Sequence, residues 1–454
     1  MVQLKSSALA SAKPFDTHRS FTFVEHRFDP LTGVVELVYK LDQFEFTERF
    51  TFPGAPFIQL QDQHAAIEAA LDLLHWVAGI SYWKTSCPGR FEFRVRRPDA
   101  WQADWLLRLY RRGLAEFAFE NELNTDHFPI FPATNSTQKP ASSGALERRS
   151  LVPMGGGKDS LVAWERLRHW GDPADSVQVG TAALIQALGE QLPGRHWVIN
   201  RAVDPQLLEL NHAGALNGHV PVTAINAAAL TLAALLWRYD RVIFANERSA
   251  NEATRIDHLG HQINHQFSKS FEFEAMFDDW VRRYIHRSLR VFSLLRQDRE
   301  LSICKDFAQL RQWHHAFSSC NRNFHLDGPR TSRWCGQCPK CHFVYLCLAP
   351  FMSPSDLAAI FGQDLLGQSG QIEAFSELLA LDGVKPFECV GEANEARAAV
   401  TALAEQSNWA DHAVVQALNQ RLRSIARKGN APSLAELCQP GGDHRIPQDL
   451  IDAS

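Results

Sequence analysis

A run of three glycines between an apolar segment and an amphipathic one constrains this chain more than any other feature. The stretch from Leu151 to Trp170 reads LVPMGGGKDSLVAWERLRHW. Its second half has apolar residues at helical spacing, namely Leu161, Trp164, Leu167 and Trp170. The pattern predicts a strand, a glycine loop and a helix. Because glycines leave backbone N–H groups uncovered and a helix start is electropositive, such a loop can bind phosphate.

The side chains that follow the glycines fit a nucleotide and its metal ion. Lys158 and Ser160 are donors for phosphate oxygens, and Asp159 suits the first ligand of a bridging Mg²⁺. A Walker P-loop does not match, because Val152 and Asp159 stand where that motif requires Gly and Ser or Thr. The alternative is a surface glycine loop capped by Asp159 or Ser160, without a ligand.

Composition limits the classes of protein open to this chain. Its 454 residues are 45% hydrophobic and 21% charged, which is ordinary for a globular protein of two or three domains. A net charge of −5 argues against an extended nucleic-acid surface, and we expect no nucleic-acid partner. The longest apolar run, Val222 to Trp237, is too short and too polar to span a bilayer, so we expect no membrane partner either. With no apolar leader at the N-terminus, we expect a cytoplasmic protein.

Pattern and composition divide the chain into five segments. They are an N-terminal α+β domain (1–129), a linker (130–149), an α/β domain with a parallel sheet (150–317), a cysteine-containing segment (318–349) and a helical C-terminal region (350–454). The first segment shows no catalytic constellation. The linker has an alternative interpretation as an active-site lid, because it runs directly into the glycine loop.

Local patterns predict individual elements within these segments. Alternation predicts strands between Ser20 and Phe52, and at Val177–Ile185, His196–Asn200 and Arg241–Ala245. Periodicity predicts helices at His64–Ala78, Ala100–Glu120, Ile372–Leu381, Glu392–Ala404 and His412–Arg427, and one that begins near Val222. The last residues of the chain are predicted to be frayed.

A polar cluster directly follows the strand that ends at Ala245. It runs from Asn246 to Asn251 and contains Glu247 and Arg248. Ligands of open parallel sheets bind at the carboxyl ends of the strands, which is also the edge of the glycine loop. Glu247 and Arg248 are therefore candidate site residues, and the alternative is a solvated loop with a helix cap.

Further along, HLGHQINHQFSKSFEFE brings three histidines and a lysine close together. His258, His261 and His265 are open to interpretation as metal ligands, proton carriers or polar loop residues. We favour proton transfer by His265 or Lys269, because histidine titrates near neutrality and lysine does so once desolvated. His219, in NGHVPVT, is a candidate for substrate contact or a helix-entry residue.

Four of the nine cysteines form the second informative pattern. Cys320, Cys335, Cys338 and Cys341 have the spacing C-x14-C-x2-C-x2-C. Four thiolates suit a closed tetrahedral zinc site of structural type. An iron–sulfur cluster is the rival, although Cys347 comes too late for the ferredoxin pattern. Unligated cysteines are the remaining alternative.

Two of these motifs resemble known families. MGGGKDS resembles the SGGxDS signature of the N-type ATP pyrophosphatases, the PP-loop enzymes of adenine nucleotide alpha hydrolase-like fold, with Gly155 in place of the leading Ser. The cysteine pattern resembles the zinc site of 7-cyano-7-deazaguanine synthases, in which the gap before C-x2-C-x2-C is shorter. Over nearly its whole length, the chain resembles the UDP-N-acetylmuramoyl-L-alanyl-L-glutamate epimerases. The resemblance depends on an N-terminal α+β domain followed, in this order, by MGGGKDS, NGHVPVTAI, FANERSAN, NHQFSKSFEFE and CGQCPKC.

The epimerase resemblance implies a function and a set of roles. It implies that ATP and Mg²⁺ activate the terminal L-Glu of UDP-N-acetylmuramoyl-L-alanyl-L-glutamate as an acyl-adenylate, which is epimerised to D-Glu with release of AMP and pyrophosphate. On this basis the pyrophosphate contacts are expected at Gly155, Gly156, Gly157, Lys158 and Ser160. Asp159 would hold Mg²⁺, Lys269 or His265 would move the α-proton, and Arg248 would bind a substrate carboxylate or phosphate.

Two other functions remain open at this point. The same core supports other adenylating reactions, such as amidation, nitrile formation or thiolation of a nucleobase. Thiolation would need a reactive cysteine outside the metal quartet, for which Cys304 or Cys347 could serve. A non-catalytic nucleotide-binding or RNA-contacting module with a zinc knuckle is the third, and the acidic net charge argues against it.

Overall fold

The computed structural model describes most of the chain. The described residues are 19–58, 60–135, 141–257, 259–324, 333–381, 386, 388, 390–425 and 432–453. His258, one of the three histidines discussed above, lies outside these residues. Within the described ranges, no helix has both the length and the apolar character needed to cross a bilayer.

The described part of the N-terminal region contains four strands and four α-helices. These are β1 (Phe21–Asp29), β2 (Val34–Leu41), β3 (Phe44–Thr51), α1 (His64–Ala78), α2 (Ile80–Trp83), β4 (Phe91–Phe93), α3 (Ala100–Gly113) and α4 (Ala115–Glu120). The predicted strands and the helix α1 are confirmed. The single helix predicted over Ala100–Glu120 is wrong, because Leu114 leaves helical geometry and separates α3 from α4. Pro221 packs at this break, 3.0 Å from the position a Cβ on Gly113 would occupy.

Strands and helices then alternate, as predicted. The elements are β5 (Glu147–Pro153), α5 (Lys158–His169), β6 (Ala174–Val179), α6 (Ala183–Gly189), β7 (His196–Ala202), α7 (Pro205–His212), α8 (Val222–Leu236), β8 (Tyr239–Phe244), β9 (Arg255–Ile256), β10 (Gln262–Ile263), α9 (Phe271–Trp280), β11 (Arg290–Ser293) and α10 (Glu300–Gln309). The strand predicted to continue to Ile185 ends at Val179, because Gly180 takes a positive φ of 95°. Strand β5 starts at Glu147, three residues inside the predicted linker.

Nine strands form one sheet, in the order β11-β8-β5-β6-β7-β3-β2-β1-β4. The five strands from β11 to β7 are mutually parallel. Strand β3 pairs antiparallel with β7, and this pairing joins the N-terminal strands to the parallel strands. The result is an α/β fold whose two predicted domains share a sheet.

Helices cover both faces of the parallel strands. Alternating strand residues face opposite cores, with Leu151 and Val242 in one and Val152 and Ile243 in the other. The first core also contains α1 and the almost completely buried α8, and the second contains α5, α10 and the C-terminal helices. Burial on both faces leaves the strand ends as the accessible part of the sheet.

The C-terminal region is helical, as predicted. Its helices are α11 (Pro339–Leu348), α12 (Pro354–Phe361), α13 (Ile372–Leu378), α14 (Ala393–Ala404), α15 (Ala413–Ile425), α16 (Leu434–Leu437) and α17 (Gln448–Ile451). The prediction that the chain end is frayed is wrong. Leu450 is 2% exposed, and Asp449 Oδ2 accepts a 2.6 Å hydrogen bond from Arg241 Nη2 in β8.

Candidate active site

The glycine loop lies at the carboxyl edge of the parallel strands. It follows β5, and α5 begins directly after it at Lys158 without a side-chain cap from Gly157. Gly156 has a φ of 79°, a conformation that glycine adopts without strain. Among the described residues, and apart from Gly155 and its two chain neighbours, no atom lies within 4 Å of the position that a Cβ on Gly155 would occupy. The predicted strand, loop and helix are therefore all present, and the loop is open on the side of Gly155.

Lys158 is buried in an ion-pair network. Its side chain is 1% exposed, and its ammonium group contacts the carboxylates of Asp159 and Glu300. Burial disfavours the charged ammonium, but the two carboxylates outweigh it and raise the pKa of Lys158 well above its ordinary value. Lys340 adds a second ammonium 3.6 Å from Glu300. Burial alone would raise the pKa of Glu300, yet the lysines lower it to about 2.

Glu247 belongs to the same cluster. It follows β8, the neighbour of β5, and is 5% exposed. Burial, together with the negative charges of Glu300 and Asp159, raises the pKa of Glu247 to about 7, against the opposing effect of Lys269. A carboxyl group with a pKa near neutrality is able to accept and donate a proton at physiological pH.

One buried arginine ties the loop after β8 to the segment that carries Lys269. Arg296 is 1% exposed and forms hydrogen bonds of 3.1 and 2.7 Å with Glu274 Oε2. Its Nη1 donates to the carbonyl oxygen of Glu247, and its Nη2 also donates to the carbonyl oxygen of Lys269, both at 2.9 Å. The guanidinium group thus fixes the backbone at two predicted site residues.

His265 lies in a second polar cluster beside Lys269. Its Nδ1 contacts Glu116 Oε2 of α4 at hydrogen-bond distance, and its ring centroid is 4.7 Å from that of His219. Burial, helped by the positive charges of His265 and Lys269 and opposed by Glu116, lowers the pKa of His219 to about 4. Because Lys269 influences both His219 and Glu247, it connects this cluster with the acidic cluster at the glycine loop.

Two further predicted site residues, Ser160 and Arg248, lie outside the two clusters described above. Ser160 donates its hydroxyl to the carbonyl oxygen of Gly157 at 3.1 Å and is 5% exposed. Arg248 lies against the C-terminal segment, where its Nη1 is 3.0 Å from the position of a Cβ on Gly441. The structure therefore places Asp159 and Lys269 close enough to Glu247 for their charges to affect it, whereas the side chain of Arg248 lies against the chain's C-terminal segment.

The four cysteines of the predicted metal site converge. One sulfur from each of Cys320, Cys335, Cys338 and Cys341 lies within 4.8 Å of the others. Cys338 caps α11, with its sulfur accepting the N–H of Cys341 at 3.4 Å, and the sulfurs of these two are also 3.4 Å apart. Four converging thiol groups fit a tetrahedral metal such as Zn²⁺, which would be held as a structural ion.

Sequence reasoning missed four residues of the two clusters. Glu300 is the first residue of α10, and Lys340 is the second residue of α11. Arg296 follows β11, and Glu116 belongs to the N-terminal region in which no catalytic constellation was expected. The position of Arg296 just after a parallel strand was a usable signal, because such positions line the ligand edge. No local signal pointed to Glu116, which is 149 residues from His265.

The fold and these clusters define an α/β protein with a glycine loop at the carboxyl edge of its parallel strands and a group of titratable side chains beside it. The chain matches the family model described as the MurL N-terminal domain over residues 13–294 and that of the MurL C-terminal domain over residues 316–432. The protein belongs to the MurL family.

Curated relatives match along nearly the full chain. A UDP-N-acetyl-alpha-D-muramoyl-L-alanyl-L-glutamate epimerase of Xanthomonas oryzae pv. oryzae is 42% identical over 96% of this chain and 97% of its own length. Proteins of the same name from a Micromonospora species and from Salinispora tropica are each 38% identical over 96% of this chain and 97% and 95% of their own lengths. The predicted family is thereby confirmed.

Proposed function

We propose that this protein epimerises the terminal L-Glu of UDP-N-acetylmuramoyl-L-alanyl-L-glutamate to D-Glu in an ATP-dependent reaction of peptidoglycan precursor synthesis. The observation that carries this proposal is the match, at 38–42% identity over 96% of the chain, to three epimerases named for that substrate. The glycine loop and the titratable clusters around Lys269 support an activation step followed by proton transfer.

The activation step answers a chemical problem. The α-proton of a free glutamate carboxylate is very weakly acidic, because its removal puts negative charge beside an existing anion. ATP would supply an adenylyl group that converts the carboxylate to an acyl-adenylate, with pyrophosphate and later AMP as products. An acyl group stabilises an enolate-like state, and each unit by which the α-proton pKa falls is worth about 1.4 kcal/mol.

The glycine loop is the proposed ATP pyrophosphatase element. Gly155, Gly156 and Gly157 would offer backbone N–H groups to the pyrophosphate, with the open space at Gly155 as the supporting observation. Asp159, whose side chain is 28% exposed, would hold Mg²⁺. Lys158 and Ser160 would contact phosphate oxygens, and Lys158 would do so by exchanging its contact with Asp159 for a phosphate.

The proton-transfer step requires groups next to the glutamate α-carbon. Lys269 and His265 are our candidates, and Glu247 is a third because its pKa is about 7. Inversion of the α-carbon needs removal of a proton from one face and delivery to the other, so two of these groups would suffice. Arg248 remains our candidate for binding a substrate carboxylate or phosphate, and we propose that the four cysteines hold a structural Zn²⁺.

The test is incubation with ATP, Mg²⁺ and the UDP-linked dipeptide in heavy water, followed by measurement of AMP and of deuterium at the glutamate α-carbon. We expect AMP together with deuterated D-Glu. AMP without deuterium would support the adenylation step but contradict the epimerisation step. The reactions to test next would then be amidation, nitrile formation and thiolation. Absence of both products would overturn the proposal.

Variants then assign the roles. Lys269→Ala and His265→Ala are each expected to lower α-proton exchange by about 10²-fold or more, the contribution of a general acid or base, while ATP binding persists. His261→Ala is the matched control, because His261 lies in the same segment but pairs with Asp126 and Asp257 at the surface. Exchange at the wild-type rate in either test variant would remove that residue from the proton-transfer step.

A further inference from the structure

The carboxylate of Glu300 lies between two lysine side chains. The ammonium group of Lys158 contacts its Oε2 atom, and the Nζ atom of Lys340 lies 3.6 Å from its Oε1 atom. The exposed fractions of these side chains are 1% for Lys158, 3% for Glu300 and 11% for Lys340. One carboxylate therefore faces two ammonium groups in a region that water barely reaches.

The two ammonium groups differ in how they are bonded. That of Lys158 contacts the carboxylates of both Asp159 and Glu300 at hydrogen-bond distance. The separation of 3.6 Å between Lys340 and Glu300 is longer than an N–H···O hydrogen bond, which measures about 2.7–3.2 Å. Lys340 also lies over the ring of Phe343, with Nζ 5.9 Å from the ring centroid. Lys340 is therefore held by charge and packing, and its N–H groups can donate to a further acceptor.

The cysteine cluster fixes the backbone that carries Lys340. This residue stands between Cys338 and Cys341, and the sulfur of Cys338 accepts the backbone N–H of Cys341. Next to them, the Nε2 atom of His342 lies 3.2 Å from the carbonyl oxygen of Gly336. Because the turn is held on both sides of Lys340, the start of its side chain has a defined place.

That place is next to the glycine loop. Lys158, which shares Glu300 with Lys340, is the first residue after the loop. The segment of the cysteines meets the loop a second time, where the backbone N–H of Ser318 donates to the carbonyl oxygen of Gly156. Two separate contacts thus attach the segment to the loop, and Lys340 lies on the side of Lys158.

The balance of charge around Lys340 favours an anion. Asp159 is the residue proposed to hold Mg²⁺, and in that role its carboxylate no longer neutralises Lys158. Two ammonium groups then share the single carboxylate of Glu300. In addition, Lys158 and Lys340 lie in the first turns of α5 and α11, where the helix dipole disfavours positive charge and favours negative charge. A phosphate group beside the two lysines satisfies both conditions.

The other charged groups near Glu300 do not replace that anion. Lys269 adds a third positive charge that acts on Glu300. Burial and the charge of Glu300 raise the pKa of Glu247 to about 7, and they raise the pKa of Glu395 to about 7 as well. Near neutral pH, each of these two carboxyl groups therefore supplies only part of a negative charge.

We propose that Lys340 binds a phosphate group of ATP, as a second ammonium group beside Lys158, and that the cysteine cluster holds it in place for this purpose. The inference rests on the proposed function, in which the glycine loop binds ATP. It gives the cysteine segment a direct part in the nucleotide site. The competing interpretation is that Lys340 only neutralises the buried carboxylate of Glu300.

The first test is Lys340→Met, which keeps the length of the side chain and its packing on Phe343 and removes the charge. The Kd values for ATP and for inorganic pyrophosphate, each with Mg²⁺, should rise about 10- to 100-fold, as expected for one hydrogen bond to a charged group. The Kd for adenosine, which has no phosphate, should not change. Calorimetry measures all three, and wild-type affinity of Lys340→Met for ATP and pyrophosphate would overturn the inference.

Lys305→Met is the matched control, because Lys305 is an exposed lysine of α10, the helix that Glu300 begins. Its affinities for the three ligands should equal those of wild type. Lys340→Arg keeps the positive charge and should bind pyrophosphate more tightly than Lys340→Met. Metal analysis and thermal unfolding of each variant show whether the cysteine cluster and the fold are intact.

A double variant separates direct binding from an effect through Glu300. In the Glu300→Gln protein, Lys340 has no buried carboxylate to neutralise. If Lys340 binds phosphate, the further change Lys340→Met should still weaken pyrophosphate binding about 10-fold or more. No further loss of affinity in the double variant would show that Lys340 acts only on Glu300.

A measurement on the wild-type protein needs no substitution. Acetylation of Lys340 by acetic anhydride, followed by mass spectrometry, should slow when pyrophosphate is bound, whereas acetylation of Lys305 should not. Unprotected Lys340 in the presence of bound pyrophosphate would overturn the inference. A wild-type protein that binds ATP through Lys340 but exchanges no α-proton would retain the inference and overturn the proposed epimerisation. A wild-type protein that binds neither ATP nor pyrophosphate would overturn both.

Discussion

The backbone N–H of Ser318 donates a 2.8 Å hydrogen bond to the carbonyl oxygen of Gly156. Ser318 in turn bonds through its hydroxyl to the carbonyl oxygen of Arg333 at 2.6 Å and precedes Cys320 by two residues. Next to it, Ser319 Oγ lies 2.7 Å from the position that a Cβ on Gly157 would occupy. The cysteine cluster therefore supports the glycine loop from outside the parallel sheet.

This contact predicts that metal loss weakens nucleotide binding. Replacement of Cys335 by Ser should remove the Zn²⁺ that we propose at the four cysteines and release the segment around Ser318. If the glycine loop binds ATP as proposed, the Kd for ATP should then rise about 3- to 10-fold, as expected for one backbone hydrogen bond. Calorimetry of ATP binding and metal analysis of the same sample check this. Cys438→Ser, outside the cluster, is the control. Unchanged ATP affinity in a metal-free Cys335→Ser protein would show that the two sites are independent.

Replacement by alanine should affect stability at one of two neighbouring glycines and ATP binding at the other. Gly156 has a φ of 79°, so Gly156→Ala should lower the free energy of unfolding by about 1–2 kcal/mol. Gly155 has open space around its Cβ position, so Gly155→Ala should leave stability unchanged but weaken ATP binding if the nucleotide fills that space. Urea unfolding and ATP titration of both variants distinguish the effects. ATP affinity unaffected by Gly155→Ala would argue against nucleotide at this side of the loop.

Sequence patterns correctly predicted those helices and strands that depend on the spacing of nearby apolar residues. The bounds of α1 follow from the spacing of Ile67, Leu71 and Leu74, all buried in the same core. The pairing of β3 with β7 could not be predicted in this way, because 149 or more positions separate the paired residues, such as Thr51 and Asn200. Periodicity also gives no information on where Pro221 packs, so it could not locate the break between α3 and α4.

The same limit explains which site residues were missed. In MGGGKDS, the glycines, the lysine and the aspartate stand in one stretch, so the sequence alone predicts a phosphate-binding loop. The spacing of the four cysteines likewise predicts a metal site. Glu116 and Arg296 have no such context. The importance of each comes from one partner in another part of the fold, namely His265 for Glu116 and the backbone of Lys269 for Arg296.

Arg296 should be intolerant of a lysine. Lysine cannot reproduce the fork that binds Glu274 and the carbonyl oxygens of Glu247 and Lys269, and it leaves Glu274 partly unpaired in a buried position. We expect Arg296→Lys to lower the free energy of unfolding by about 2–4 kcal/mol and to lower α-proton exchange in the protein that remains folded. Urea unfolding and the heavy-water assay measure the two effects.

Arg290→Lys is the comparison for this prediction. Arg290 lies in β11, and among the described residues its side chain donates to Asp278 of α9 and to the carbonyl oxygen of Arg445, not to the backbone of Glu247 or Lys269. The Arg290→Lys variant should have a lower free energy of unfolding, but its rate of α-proton exchange per folded molecule should equal that of wild type. Equal losses of exchange in the two variants would show that Arg296 acts only through stability.

Glu395 should make stability depend on pH. Its side chain is fully buried in α14 and accepts hydrogen bonds from Ser249 Oγ at 2.7 Å and from the N–H of Leu301 at 3.0 Å. Burial, with the charge of Glu300, raises its pKa from 4.5 to about 7. A carboxyl group with a raised pKa in the folded state favours folding below pH 4.5, and this contribution is lost as the pH rises through 7. The loss amounts to about 3 kcal/mol, at about 1.4 kcal/mol for each pH unit between the two pKa values.

Glu395→Gln removes this titration. The free energy of unfolding of wild type minus that of Glu395→Gln should therefore be largest near pH 5 and should shrink by pH 8, and urea unfolding across that range measures it. Other titrating groups, such as Glu247, cancel in the difference because both proteins contain them. Glu392→Gln is the control, since Glu392 lies in the same capping box and pairs with Arg299 near the surface. A pH-independent difference between wild type and Glu395→Gln would show that Glu395 is already ionised in the folded protein at pH 5.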